Sequence, residues 1–197
     1  RYLNGWGVDN DLELARQYAN RSIQLGLEYG KATLADLALS GYGDFGGIQF
    51  ALKMLHEAAE NGHPVAAAFL GDIYRKGDGV EKNQVEALKW YLLAAEKEDA
   101  IAQYNLGVIY HFGKGVPQDD KQALNWYDKA AMQGVSAAQF NLGVMYEKEQ
   151  GVSKYQQKAA AWYCKADEQG NANAQNSLGI MYYIGEGELK AHHKEVK

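Results

Sequence analysis

A 36-residue repeat runs through this chain of 197 residues and strongly limits what it can fold into. Leucine returns at five positions spaced 36 residues apart, and in four of these copies a glycine follows it directly. The five leucines are Leu34, Leu70, Leu106, Leu142 and Leu178. A fixed period of this length is typical of helical repeat proteins, in which each unit buries its apolar side against its neighbours.

The rest of the repeat is equally regular, and no copy contains an insertion. Recurrent positions include the alanines Ala15, Ala51, Ala87, Ala123 and Ala159, the tyrosines Tyr74, Tyr110, Tyr146 and Tyr182, the tryptophans Trp90, Trp126 and Trp162, and the closing glycines Gly26, Gly62, Gly134 and Gly170. Glu98 replaces the closing glycine in one copy, and Glu149 replaces the first glycine of a Gly-x-Gly turn in another. We expect the recurrent leucine, alanine, tyrosine and tryptophan side chains to form the core.

Each repeat contains two candidate helices, which we call the A helix and the B helix. In the B helix of segment 119–134, apolar residues fall at Ala123, Trp126, Tyr127, Ala130 and Ala131, the stripe of an amphipathic helix. Asp119 with Gln122 predicts a capping box at its start, as does Asn83 with Glu86 one repeat earlier. Gly134 suits the left-handed position that ends such a helix.

The A helix is predicted from about Ala100 to Phe112, with Gly107 in its middle. A mid-helix glycine costs about 1 kcal/mol relative to alanine, so its periodic return predicts a close approach of a neighbouring helix. Neither helix is long enough to be stable alone. We therefore expect an all-α fold, a right-handed α/α superhelical solenoid of antiparallel helix pairs.

The repeat frame divides residues 1–197 as one solenoid with incomplete ends. Its predicted units are a partial repeat 1–26, full repeats 27–62, 63–98, 99–134 and 135–170, and a partial repeat 171–197. Incomplete ends predict a segment of a longer array or an array with trimmed ends; a divergent polar cap is the alternative.

The pattern A-x-x-x-L-G-x-x-Y-x-x-G-x-G-V at 102–116, with A-x-x-W-x-x-K-A-A-x-x-G at 123–134, resembles the Sel-one-like repeat (SLR) family of tetratricopeptide-like helical repeats. The resemblance covers nearly the whole chain. It implies an adaptor or scaffold for protein complexes, and many bacterial members serve in host interaction, envelope signalling or toxin neutralisation. A cysteine-rich bacterial subgroup has been linked to β-lactam binding, but this chain has only Cys164 and departs from it.

The sequence predicts no catalytic residue, cofactor or metal site. The repeated Gly-x-Gly has no strand before it and is interpreted as an inter-helix turn, not a phosphate loop. His192 and His193 adjoin on a charged tail without metal-ligand spacing, and Cys164 is interpreted as a packing residue. A net charge of −5 argues against nucleic acid, and no apolar run is long enough to span a membrane.

The resemblance implies that the A helices line the concave surface, so residues opposite their core stripe are the candidate partner-binding residues. Three rows differ in chemistry from copy to copy. The candidates from these rows are Asp36, Asp72, Asn105, Val108, Phe112, Asn141, Val144, Lys148, Ser177 and Ile180. Asp36 and Asp72 predict an acidic end, and Val108 to Ile180 an apolar end. Phe112 is either an interface anchor or a side chain packed between adjacent A helices.

We therefore predict a scaffold or adaptor that binds a protein or peptide partner on its concave face and originates from a bacterial cell. A narrower version is an immunity or regulatory protein that sequesters one effector. The alternative is an enzyme acting on cell-wall or β-lactam-type substrates, which would need titratable side chains clustered in one cleft. The compartment stays open between cytoplasm, periplasm and secretion.

Overall fold

A computed structural model describes residues 12–39, 47–150 and 155–184 of the chain. These residues form ten α-helices and no strand. The helices are α1 (Leu12–Gln24), α2 (Tyr29–Leu39), α3 (Gly47–Glu60), α4 (Pro64–Lys76), α5 (Gln84–Glu96), α6 (Ala100–Phe112), α7 (Asp120–Met132), α8 (Ser136–Lys148), α9 (Gln156–Asp167) and α10 (Ala172–Ile184). The predicted all-α class of paired helices is confirmed, and the even-numbered helices are the A helices.

The chain divides into two compact units, residues 1–99 with α1 to α5 and residues 100–197 with α6 to α10. Within each unit, every described helix packs against the next one along the chain. In the second unit, His111 at the end of α6 contacts Asp120 at the start of α7, with Nδ1 and Oδ1 2.9 Å apart. At the opposite ends of the same helices, Gln133 Nε2 donates to Gln103 Oε1 over 2.8 Å. The two helices are therefore antiparallel.

The recurrent leucines lie in the core as predicted, whereas the recurrent tryptophans lie at its edge. All five leucines are buried, but Trp90, Trp126 and Trp162 are only partly buried. The fully buried aromatic side chains belong to the next residue along each B helix, namely Tyr91, Tyr127 and Tyr163. Consecutive residues point roughly 100° apart around a helix, so only one of the two adjacent aromatic side chains can face the core. The A-helix tyrosines named above are also half-buried.

The mid-helix glycines are explained by these buried tyrosines. A Cβ atom on Gly71 would come within 2.6 Å of Cε1 of Tyr91. Gly107 meets the ring of Tyr127 in the same way, and Gly143 meets the ring of Tyr163. The predicted close approach is confirmed, and the group that makes it is a tyrosine ring of the following B helix.

The B helices α5 and α7 each begin with a side-chain N-cap, from Asn83 and Asp119. Asp119 Oδ1 accepts a hydrogen bond from the Gln122 N–H at 3.0 Å, which confirms Asp119 as the N-cap. The predicted return bond of a capping box is wrong, because the Asp119 N–H donates to the Tyr110 carbonyl at 2.9 Å. Equivalent main-chain bonds run from Asn83 N–H to Tyr74 O and from Tyr155 N–H to Tyr146 O. A carbonyl of the preceding A helix therefore takes the donor that a capping box would use.

The two glutamates that interrupt the glycine pattern adopt the glycine conformation. Gly134 has φ +89° at the end of a B helix, and Glu98 has φ 63° at the equivalent position. Glu149 follows α8 with φ 58° and ψ 30°, and its N–H donates to Met145 O. A left-handed conformation costs a side-chain-bearing residue roughly 1–2 kcal/mol. The turn geometry is therefore imposed by the repeat and not by the local residue.

Replacing Gly107 by alanine is expected to lower the free energy of unfolding by about 1–3 kcal/mol, because the added methyl group overlaps the Tyr127 ring. Gly179 is the matched control, since no atom of the described residues lies within 4 Å of a Cβ placed there in α10. Gly179→Ala should raise stability by about 1 kcal/mol through helix propensity alone. Urea unfolding followed by circular dichroism measures both, and equal effects would contradict the packing explanation.

Replacing Glu149 by glycine is expected to raise the free energy of unfolding by about 1 kcal/mol, because glycine adopts the left-handed conformation without a Cβ penalty. Glu149→Ala removes the same carboxylate but keeps the Cβ atom, so it should not be stabilising. The two variants are compared by urea unfolding. A stabilisation of equal size in both would instead point to the charge.

Candidate partner-binding site

Two grooves lie between consecutive A helices, one in each unit. Groove 1, between α2 and α4, has a volume of about 590 Å³. Groove 2, between α6 and α8, has a volume of about 370 Å³. Groove 1 is lined among others by Asp36, Phe69, Asp72, Ile73, Lys76 and Asp78. Groove 2 is lined by His111, Phe112, Tyr127, Phe140, Asn141, Val144, Met145, Lys148 and Gln150.

The two grooves occupy equivalent positions in the repeat. Residues 69, 72, 73, 76 and 78 of groove 1 correspond, two repeats later, to residues 141, 144, 145, 148 and 150 of groove 2. The lysine is the same in both, but Phe69 becomes Asn141, Asp72 becomes Val144 and Asp78 becomes Gln150. Equivalent backbone positions therefore carry acidic side chains in groove 1 and no acidic side chain in groove 2.

In groove 1 the two predicted acidic residues have different environments. Asp72 accepts a hydrogen bond from the Tyr91 hydroxyl at 2.6 Å and from Arg75 Nη2 at 3.0 Å, so its carboxylate is already engaged. Asp36 is half-buried and forms no hydrogen bond or ion pair with the described residues. Burial raises the pKa of Asp36. Asp36 is therefore a half-buried acidic side chain of groove 1 whose charge a cationic group could neutralise.

In groove 2 the apolar lining is accessible from outside. Phe112 is 62% exposed, so its interpretation as a side chain packed between A helices is wrong. Its ring lies edge-on to His111, with ring centroids 4.6 Å apart, and the Lys114 ammonium group is 5.1 Å from the ring centroid. Val144 is half-buried and packs on the core cluster of α9 and α10. The groove therefore combines a rigid core wall with an exposed aromatic ring.

The three buried tyrosines differ in what their hydroxyl groups bind. Tyr91 donates to Asp72, and Tyr163 donates to Glu147 Oε2 over 2.6 Å. The Tyr127 hydroxyl, in groove 2, is buried and has no hydrogen-bond partner among the described residues. Burial raises the pKa of all three tyrosines, so each hydroxyl stays protonated and is a donor. Tyr127 differs from the others in having a donor without an acceptor.

The missing acceptor follows from the sequence. The residue equivalent to Asp72 beside Tyr127 is Val108, and the residue equivalent to Glu147 is His111. The His111 ring is bound to Asp120 and not to the Tyr127 hydroxyl. Sequence reasoning placed Tyr127 in the core stripe and missed this feature. Comparing the positions of Asp72 and Glu147 with their equivalents in the other repeats would have shown that Tyr127 lacks an acidic neighbour.

The structure brings six of the ten candidate residues into the grooves. Phe112, Asn141, Val144 and Lys148 line groove 2, and Asp36 and Asp72 line groove 1. The other four, Asn105, Val108, Ser177 and Ile180, line neither groove. Val108 is half-buried against the core cluster of α7 and α8, and Ile180 is 48% exposed. Phe112 and Lys148 belong to a row that also contains Ser40, Lys76 and Ile184 at 36-residue spacing; Ser40 and the side chain of Ile184 lie outside the described residues.

Cys164 is half-buried and packs on the core cluster around Tyr163, as predicted. Burial raises the pKa of its thiol, which disfavours the reactive thiolate. Within residues 12–39, 47–150 and 155–184, no group of three or more His, Cys, Asp or Glu side chains could hold a metal ion. His192 and His193 lie outside these ranges.

No helix in the described part of the chain has both the length and the apolar character that crossing a membrane requires.

Replacing Tyr163 by phenylalanine is expected to lower the free energy of unfolding by about 1 kcal/mol, because the hydrogen bond to Glu147 is lost. Tyr127→Phe is the matched variant, and it should be neutral or stabilising, because it removes a buried hydroxyl that has no partner. Urea unfolding distinguishes the two. Equal losses in both variants would show that Tyr127 has an acceptor within the protein.

The family model of the Sel1 repeat matches the chain six times, over residues 1–27, 34–63, 64–99, 100–135, 136–171 and 172–194. A Sel1 repeat protein from Oxalobacter formigenes is 32% identical with a TM-score of 0.86, and the alignment covers 98% of this chain and 79% of that protein. No curated protein sequence matches the chain significantly.

Two further solved structures are similar to the chain. A protective antigen present in uropathogenic Escherichia coli strains, with an SLR fold, is 32% identical with a TM-score of 0.85. That alignment covers 95% of this chain but only 40% of the antigen. An immunity protein from Pseudomonas aeruginosa is 24% identical with a TM-score of 0.62, over 85% of this chain and 64% of that one, and it shares the fold.

Proposed function

Because this chain belongs to the Sel1 repeat family, whose members are commonly protein-interaction scaffolds, we propose that it binds a protein or peptide partner along its A helices. The observation that carries the proposal is the pair of equivalent grooves. The supporting leucine is the same in both, since Leu70 and Leu142 are both fully buried, while the groove linings differ. A scaffold that varies only its accessible side chains is suited to recognising one particular partner.

The two linings suggest what each groove would contribute. Groove 1 offers the half-buried Asp36 to a basic side chain, and neutralising that carboxylate on binding would offset its desolvation. Groove 2 offers the exposed ring of Phe112 together with Val144 to an apolar side chain. An exposed aromatic side chain beside a pocket is typical of interface positions that contribute much of the binding free energy.

The finer proposal is a bacterial protein that acts in host interaction, envelope signalling or neutralisation of an effector. It is supported by the bacterial origin of the similar structures, among them the antigen from uropathogenic Escherichia coli. An enzyme acting on cell-wall or β-lactam-type substrates is the alternative class. Turnover of such a substrate, abolished by one side-chain change, would establish it.

The proposal is tested by capturing proteins from an extract of the source cells on the immobilised chain, followed by quantitative mass spectrometry. Asp36→Asn with Lys76→Glu alters groove 1, and Phe112→Ala with Lys148→Glu alters groove 2. Variants in at least one groove should lower the capture of a specific protein tenfold or more, because its side chains lose their contacts. The matched control is Met132→Ala with Lys121→Glu in α7, where Met132 is 71% exposed.

Capture that is equal for the wild type, both groove variants and the control would contradict binding along the A helices. Failure to capture any specific protein would count against the whole proposal.

A further inference from the structure

Groove 2 contains two buried polar atoms for which the described residues provide no hydrogen-bond partner. The hydroxyl of Tyr127, a residue that is 1% exposed, has no hydrogen-bond partner among the described residues. The same holds for Oε1 of Gln150. Nearly all buried polar groups in folded proteins are hydrogen-bonded. A donor and an acceptor left unpaired along one groove could both be satisfied by a peptide, which has oxygen acceptors and main-chain N–H donors.

The Tyr127 ring is held where it is by its surroundings. It lies against the backbone of Gly107, and the rings of Tyr104 and His111 have centroids 5.9 Å and 6.5 Å from its own. Asn141 is nearby on α8, but it does not meet the hydroxyl in hydrogen-bond geometry. The packed ring therefore keeps the hydroxyl beside the groove.

The equivalent tyrosines show which acceptor suits this position. Tyr91 and Tyr163 each donate to a carboxylate oxygen at 2.6 Å. In the first unit the carboxylate of Asp72 is shared between the Tyr91 hydroxyl and the Arg75 guanidinium. The acceptor that Tyr127 lacks is therefore matched in chemistry by a carboxylate, and a cation beside it has a precedent in the same chain.

The charges around groove 2 favour the same ligand. Lys148 is exposed on its rim and forms no ion pair with the described residues, and no Asp or Glu lines the groove. The nearby carboxylate of Asp120 is already bound to His111. The rest of the lining is apolar or aromatic, with Phe112 exposed and Phe140 partly exposed. A ligand with an acidic group next to a large apolar side chain would be complementary to Lys148 and to the apolar lining.

We propose that groove 2 binds a linear peptide segment in which a large apolar residue is flanked by Asp or Glu. The apolar side chain packs on Phe112 and Val144, and the carboxylate accepts a hydrogen bond from the Tyr127 hydroxyl near the charge of Lys148. Gln150 Oε1 accepts a hydrogen bond from the peptide main chain. This inference rests on the proposed function and specifies the partner for one of its two grooves.

The test uses the ¹⁵N-labelled full chain and three short peptides, followed by NMR chemical-shift titration. The probe is acetyl-Gly-Asp-Phe-Asp-Gly-amide; one control replaces both Asp by Lys, and the other replaces Phe by Gly. The acidic probe should shift amide signals of groove 2, and each control peptide should bind at least tenfold more weakly. Equal binding of the acidic and basic peptides, shifts elsewhere, or no binding of the probe at millimolar concentration would overturn the proposal.

Two variants give independent readouts. Lys148→Glu should reverse the preference, so that the Lys-Phe-Lys peptide binds more tightly than the acidic probe, whereas Lys121→Glu in α7 should leave the preference unchanged. Tyr127→Phe should keep the fold and weaken binding of the acidic probe fivefold or more. Tyr183→Phe, at a tyrosine that is 93% exposed, is its control. Unchanged binding by Tyr127→Phe, or no reversal by Lys148→Glu, would contradict the assignment.

The two proposals can fail separately. If the groove variants lose a protein partner but the acidic probe does not bind, the peptide chemistry assigned to groove 2 is wrong and the binding function stands. If the acidic probe does not bind and the groove variants capture the same proteins as the wild type, both the proposed function and the peptide assignment are wrong.

Discussion

The contact between a tyrosine ring and a glycine backbone is the constraint on which the helix pairs depend. Tyr91, Tyr127 and Tyr163 lie on Gly71, Gly107 and Gly143 in successive repeats. Only a residue without a side chain lets the B-helix ring reach the A-helix backbone, and that close approach sets the spacing of the pair. In these three pairs the A helix is held against its B helix by the same contact, whatever its outward side chains are.

That constancy explains why the grooves can vary in chemistry without loss of the fold. The core residues Leu70 and Leu142 have the same burial, while Asp72 and Val144 one turn away differ in charge. The Tyr127 hydroxyl departs from the other two buried tyrosines, because it has no acceptor among the described residues while its ring contact with Gly107 remains. An unpaired donor is unfavourable for stability, so its presence at a groove connects the packing of the pair with recognition of a ligand.

Much of the fold could be predicted because it follows from short-range rules. The bounds of α6, the Asp119 cap and the close approach at Gly107 each depend on periodicity or on a single turn. Which of Trp126 and Tyr127 is the buried ring could not be predicted, because both are aromatic and adjacent. Only packing against the partner helix selects one. The missing arm of the capping box also depends on a tertiary contact, the Tyr110 carbonyl. Likewise, the candidate rows placed Phe112 and Lys148 correctly on the A helices, but their grouping into one groove with Tyr127 required the packing of α6 against α8.

The main-chain hydrogen bond from Asp119 N–H to Tyr110 O also accounts for the constant length of the repeat, which contains no insertion. Three such bonds join residues nine positions apart in three different connections, and they use only backbone atoms. Substitutions in a connection leave these backbone atoms in place, so the amino acids of the connection can vary while the hydrogen bond is kept. Adding or removing one residue would move this donor away from its acceptor and displace the B-helix tyrosine from the A-helix glycine. The connections can therefore change in residue identity but not in length.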